Sequence, residues 1–199
     1  MPIAINGSGT ITGVSVGGLP DGIVDTDMLA GNAVTAAKSS GLATTNGITE
    51  FDMWRVTSNF AQQNAVITSN WERADTQFDK IGTGLTESSG IFSFPSTGIY
   101  LINFQIYSWE SGGTAYHGGT VDFSTDSGSN YTTRVEMLTN SYNTGSAVGG
   151  SAFMHVTLDV TNTSTNRMRF STVGDSEISF VAHSDQQRVG FTCLRLGDT

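Results

Sequence analysis

The residues of this chain that could do chemistry are few, and their spacing gathers none of them. Gly13-Val14-Ser15-Val16-Gly17 spells the G-x-S-x-G pattern of a nucleophile elbow, in which a strand presents a serine at the start of a helix. Gly18-Leu19-Pro20 follows at once and forbids that helix, so the pattern is a coincidence within a Gly/Ser-rich segment. His117, His155 and His183 stand apart without H-x-x-x-H or H-x-E spacing, so no zinc site or catalytic triad is readable. Asp122, Asp126, Asp159, Asp175, Glu177 and Asp185 are spread out, and none opens an Asp-x-Asp-x-Asp-Gly loop; they read as solvated turn and edge residues. No Gly-Lys-Ser/Thr phosphate loop occurs. Cys193, the one cysteine, excludes an intrachain disulfide and lies in an apolar strand, where a buried free thiol is expected. The sequence therefore implies no enzyme, no metal and no cofactor.

Composition says what kind of scaffold this is. The chain has 199 residues, room for one sizeable domain plus an appendage. It holds 24 glycines, and only 14% of its residues are charged, a profile of short strands joined by tight turns in an all-β fold. The net charge of -9 argues against nucleic acid and anionic membranes as partners. Met1-Pro2-Ile3 lacks the basic start of a signal peptide and no stretch is apolar enough to span a bilayer, so synthesis in a cytoplasm without Sec export is expected.

The elements that would hold a site are best read from Ser88 to Ser108. Two apolar runs flank Pro95-Ser96-Thr97-Gly98, a turn. After it, Tyr100, Ile102, Phe104 and Ile106 fall on one face of a strand, and Leu101, Asn103, Gln105 and Tyr107 on the other. That second face is mixed enough to meet a second layer or a partner chain. Further strands are expected over Phe51 to Ser58, Val66 to Arg73, Val121 to Phe123, Tyr131 to Leu138 and Ala152 to Val160. Others are expected around Met168 and Phe170, Ile178 to Ala182, and Val189 to Cys193, giving roughly eight to ten in a β-sandwich. The expected core is Tyr100, Phe104, Phe123, Met154, Val156, Leu158, Phe170 and Phe191, with Trp54 and Trp71 as core or subunit-interface anchors.

Residues 1–48 read differently. Ile3 to Asn46 contains no aromatic residue and Gly at short intervals, too little apolar bulk to offset its own ordering entropy. It is expected to be a docking arm, contacting another chain through Ile3, Ile5, Ile11, Val14, Val16, Leu19, Met28 and Leu29, with a short helix from about Thr26 to Lys38. Residues 49–199 are the expected sandwich.

Two resemblances add to this. Phe94, Pro95, Gly98, Tyr100 and Phe104 resemble the F-x-x-P-x-x-G-x-Y-x-F core of C1q-like and TNF-like trimeric jelly rolls, with a slightly altered spacing at its start. The closing stretch Gln187 to Leu196 is similar to their last strand. The leader Gly9 to Gly22, followed by Val24 to Ala30, resembles that of tailed-phage virion structural proteins, especially marine and cyanobacterial ones. Phe51 to Thr57, Ile67 to Arg73 and Ile81 to Gly90 continue that likeness. The resemblance implies a homotrimer with Trp54, Trp71, Tyr100, Leu101, Phe104, Tyr107 and Phe191 as core or trimer residues. It implies a virion location, assembly in the host cytoplasm, and an arm that docks on capsid or tail proteins. Capsid decoration or cement and a short tail fibre that touches a host receptor or glycan both fit it. In a trimer, one histidine per chain could meet its copies on the axis, a route to metal binding or pH sensing. The alternative is a free C1q-like module that binds carbohydrate or protein.

Overall fold

The computed structural model describes residues 4–5, 11–12, 47–76, 78–110, 114–141, 148–174 and 178–199. The chain divides into two units, Met1–Asn46 and Gly47–Thr199. In the first, β1 (Ala4–Ile5) and β2 (Ile11–Thr12) pair antiparallel, with Ile5 opposite Ile11. The helix expected from Thr26 to Lys38 lies outside the described residues, as do Ile3, Val14, Val16, Leu19, Met28, Leu29 and the Gly13–Gly17 pattern.

The second unit is a sandwich of two antiparallel sheets, with no helix among the described residues. Its strands are β3 (Phe51–Val56), β4 (Trp71–Arg73), β5 (Thr86–Ser88), β6 (Ile91–Ser93), β7 (Gly98–Glu110) and β8 (Thr114–Ser124). They continue with β9 (Thr132–Ser141), β10 (Val148–Val160), β11 (Arg167–Gly174), β12 (Ser179–Phe180) and β13 (Gly190–Gly197). One sheet runs β10-β7-β13-β3-β4, with β12 also on β7; the other runs β5-β6-β11-β8-β9.

The Pro95–Gly98 turn hands the chain from β6 in one sheet to β7 in the other. Gly98 has a φ of +145°, and a Cβ there would come within 2.5 Å of Arg195 Nε and of the Gly197 carbonyl oxygen, so only glycine fits. Tyr100 seals the turn by donating its hydroxyl to the Ser96 carbonyl at 3.0 Å, with Ser96 Oγ at 2.9 Å from the same oxygen. Burial raises the Tyr100 phenol above its ordinary pKa. Strand β7 is paired along its whole length with β10 on one side, and on the other with β13 from Ile99 to Gln105 and with β12 at Ser108 and Trp109.

Because side chains alternate along a strand, the pairing sends Tyr100, Ile102, Phe104 and Ile106 inward, all buried. Neighbouring strands of the same sheet supply Met154, Leu158 and Phe191, and the facing sheet Phe170 and Phe123, all buried, while Val156 is half-buried against them. The centre is aromatic. The Phe92 ring meets Trp54 (5.4 Å), Trp71 (5.2 Å), Phe170 (5.7 Å) and Phe191 (4.8 Å) edge-on. Phe170 stacks on Phe191 at 4.4 Å and tilts against Phe104 at 4.6 Å. Such geometries add attraction beyond area burial. Trp54 is buried in the core and Trp71 is half-buried against it, and their N–H groups are satisfied: Trp54 Nε1 donates to Asp52 (2.9 Å) and Trp71 Nε1 to the Ile67 carbonyl (2.8 Å).

Some elements differ from the sequence expectation. The strand expected over Val66 to Arg73 reduces to β4, because Asn70 takes a left-handed φ of 62°, and Val66 makes only an isolated bridge to Ser171. The strand expected from Ile178 to Ala182 is only Ser179–Phe180, and the Phe51 strand ends at Val56. Short pieces such as β5, β6 and β12 raise the number beyond eight to ten; at two or three residues they have no period to read.

Replacing Phe170 with Ala removes the ring that touches Trp71, Phe92, Phe104 and Phe191. The variant should lose about 3–5 kcal/mol in denaturant titration. A change below about 1 kcal/mol would show that the cluster is not the centre of the fold.

Candidate functional site

The inward set on β7 dictates the outward one: Leu101, Asn103, Gln105, Tyr107 and Trp109. The register places them beside Thr157, His155, Phe153, Ser151 and Gly149 of β10 in turn. On the other side, Leu194, Thr192 and Gly190 of β13 continue the rows of Leu101, Asn103 and Gln105, and Phe51, Met53 and Arg55 of β3 extend them. Phe153 on this face is 56% exposed and Trp109 49%, more than Tyr116, Met137 and Leu138 on the other sheet at 40–41%.

The floor between these side chains is built from amides rather than ions. Gln187 Nε2 donates to the carbonyls of Trp54 and Phe191, both at 3.1 Å, and its own carbonyl accepts from Gln105 Nε2. Gly190 makes room for this: a Cβ there would lie 2.9 Å from Gln187 Nε2 and 2.4 Å from the Trp54 oxygen. Asn103 Nδ2 donates to Thr192 Oγ1 at 3.2 Å. The result is a shallow depression bordered by Met53, Asn103, Gln105, Phe153 and Thr192, with a second one on the Tyr107 and Ser151 side of Phe153.

Charged outward groups on this sheet lie at its margins. Asp159 is at the end of β10, opposite Ile99, and Arg55 is buried at the far edge, paired with Glu72 at 3.0 Å. The other sheet is more charged, with Arg167, Arg169, Asp122 and Glu136 at its outward positions alongside the exposed Leu138. Asp122 was expected to be a solvated edge residue. It is instead 5% exposed and accepts from Arg169 Nε (3.2 Å), Ser171 Oγ (3.0 Å) and Thr133 Oγ1 (2.8 Å), because a carboxylate on a central strand needs partners to remain charged. The Arg169 guanidinium also lies over the Tyr131 ring at 3.9 Å.

Asp52 is a second buried carboxylate, at 2% exposure. It accepts from Trp54 Nε1, Arg73 Nε (2.9 Å), Arg73 Nη2 (3.2 Å) and the Leu85 N–H (2.8 Å), joining β3, β4 and the approach to β5. This is a structural knot with every lone pair engaged. Cys193 faces the same region, where burial and the nearby Asp52 and Glu50 carboxylates push its thiol well above the ordinary pKa, so it is an inert thiol.

The other residues singled out by sequence are not brought together. His117 is buried on β8, His155 is exposed on β10, and His183 lies between β12 and β13, its Nδ1 accepting from the Asp185 N–H at 2.9 Å. Among the described residues, no three His, Cys, Asp or Glu side chains are placed to hold a metal. Trp54, Tyr100, Phe104 and Phe191 are buried, Trp71 is half-buried against the core, and Leu101 and Tyr107 are half-buried on the outward face. Sequence reading passed over Phe153. Its signal was an apolar ring within the otherwise polar outward set Ser151, His155, Thr157 and Asp159.

No family model matches the chain, and no curated protein matches it in sequence. Solved structures do align. Eiger TNF from S. frugiperda is 15% identical, covers 77% of this chain and 96% of its own, and gives a TM-score of 0.57. Murine APRIL is also 15% identical, covers 74% of this chain and 98% of its own, and gives 0.51. The globular domain of zebrafish complement 1qA is 14% identical, with a TM-score of 0.48, over 76% of this chain and 99% of its own. The chain is thus similar in fold to TNF-type jelly rolls.

One carboxylate has a testable electrostatic signature. Asp126, in the turn after β8, accepts from the Asn130 side chain (2.7 Å), the Asn130 N–H (2.9 Å) and Ser124 Oγ (2.7 Å), which together lower its pKa to about 2. A depressed carboxylate stabilises the fold above its unfolded pKa and ceases to do so as pH falls through about 2. NMR titration of the Asp126 side chain should find its midpoint near that value, and Asn130→Ala should move it back towards 3.8. An unchanged midpoint in the variant would rule out the turn's hydrogen bonds as the cause.

Proposed function

We propose that this chain is a non-enzymatic structural module of a virion surface. Copies associate as a homotrimer through the outward face of the β10-β7-β13-β3 sheet, and the N-terminal residues dock the assembly on capsid or tail proteins. The observation that carries the reading is the scarcity of charge on the strands of that face, which Arg188 borders from the segment before β13. A chain of net charge -9 repels its own copies, so a contact between copies is favoured where negative charge is absent. The central rows of this face hold amides, hydroxyls and apolar groups, with Phe153 as its most exposed aromatic ring. The opposite sheet carries Arg167, Arg169, Asp122 and Glu136 at outward positions, and burying these ions between copies would cost their desolvation. The fold supports the trimer by analogy with the trimeric jelly rolls it resembles. The leader's likeness to phage virion proteins supports the location, with decoration of the shell slightly favoured over a short fibre.

Light scattering on the full chain should give three times the monomer mass, and Phe153→Asp should reduce it to one. Deleting residues 1–46 should leave the trimer intact and abolish incorporation into virions. A monomer at micromolar concentration would remove the self-association. Wild-type incorporation of the deletion variant would remove the docking role.

A further inference from the structure

We infer that contact through this face is controlled by the charge on His155 and weakens as its imidazole takes a proton. The inference rests on the reading of the face as a contact between copies. His155 projects from the outward side of β10, exposed, in the row that continues through Asn103, Thr192 and Met53. A carboxamide, a hydroxyl and a thioether cannot supply the negative charge that an imidazolium needs when water is removed. The adjacent rows hold Phe153 with Gln105 on one side and Thr157 with Leu101 on the other, again without a carboxylate.

The charged and titratable groups around it do not change this. On β10, Asp159 is four residues along, about 13 Å at strand rise and beyond the screening length at physiological salt. Tyr107 on β7 is four residues along from Asn103 and brings a phenol rather than a carboxylate. Arg55 lies three strands away, about 14 Å, and is paired with Glu72 on β4. Arg188, before β13 and beside Phe153, and Arg134 on β9, beside Thr157 and Asp159, are cations that add to the cost of a further one.

Imidazole is the side chain whose charge changes between about pH 5 and 8. Removing water from around an imidazolium is costly where no carboxylate replaces it, so contact between copies favours the neutral ring and weakens as pH falls through the imidazole range.

Sedimentation of the full chain at about pH 7.5 and about pH 5.5 tests this, in wild type, His155→Gln and His155→Arg. Near-ultraviolet circular dichroism at each pH confirms that the chain stays folded. Wild-type association should weaken on the order of tenfold or more on acidification, the scale of leaving a charge unpaired in a contact. His155→Gln should be nearly flat, and His155→Arg weak at both values. The same acid response in wild type and His155→Gln, or no response in wild type, would overturn the inference while leaving the contact standing. Absence of any assembly at the higher pH would overturn the contact and the inference together.

Discussion

Phe92, Phe170 and Phe191 interlock between the two sheets, and the positions of the other residues in the second unit follow from keeping them there. Phe191 is on β13, Phe170 on β11 and Phe92 on β6, so the cluster joins strands from opposite layers. Seating Phe104 and Phe191 inward fixes the register of β7 and β13, because the side-chain period of a strand is two. A slip of one residue would bury Asn103 and Gln105 and expose Tyr100 and Phe104. The outward set is therefore a consequence of the packing, and the candidate face inherits its precision from the core.

Charge is distributed by the same logic. Two of the buried carboxylates are each surrounded by donors: Asp52 by Arg73, Trp54 and the Leu85 N–H, and Asp122 by Arg169, Ser171 and Thr133. Buried ions are tolerated only when paired and hydrogen-bonded, so these two groups serve the fold. With Arg55 and Glu72 paired at one edge and Asp159 at one end, the middle of the β10-β7-β13 face is left to amides, hydroxyls and exposed rings. A surface of that kind suits contact with a copy of itself better than binding of a charged partner.

Much of this was legible in the sequence where strands are long and flanked by turns. The alternation Tyr100, Ile102, Phe104 and Ile106 gave the facing of β7, and Ala152, Met154 and Leu158 gave that of β10. What escaped depends on contacts distant in sequence. Asp122 looked like an edge carboxylate because its partner Arg169 lies 47 residues away. The end of the expected Val66 strand was hidden in the left-handed Asn70, a conformation residue type alone does not dictate. Phe153 escaped because a single exposed ring in a polar set has no periodic signal; its meaning comes from the strands beside it. The docking arm rests on composition and on a resemblance, and most of it lies outside the described residues.

The central claim is that the face bearing Phe153 meets a copy of itself. Hydroxyl-radical footprinting of the full chain over a dilution series, read by mass spectrometry, addresses it directly. Phe153 on β10 should be protected at high concentration and become oxidised on dilution, while the exposed Tyr116 on β8 of the other sheet reacts equally throughout. Equal oxidation of Phe153 at every concentration, or protection that falls on Tyr116 instead, would contradict it.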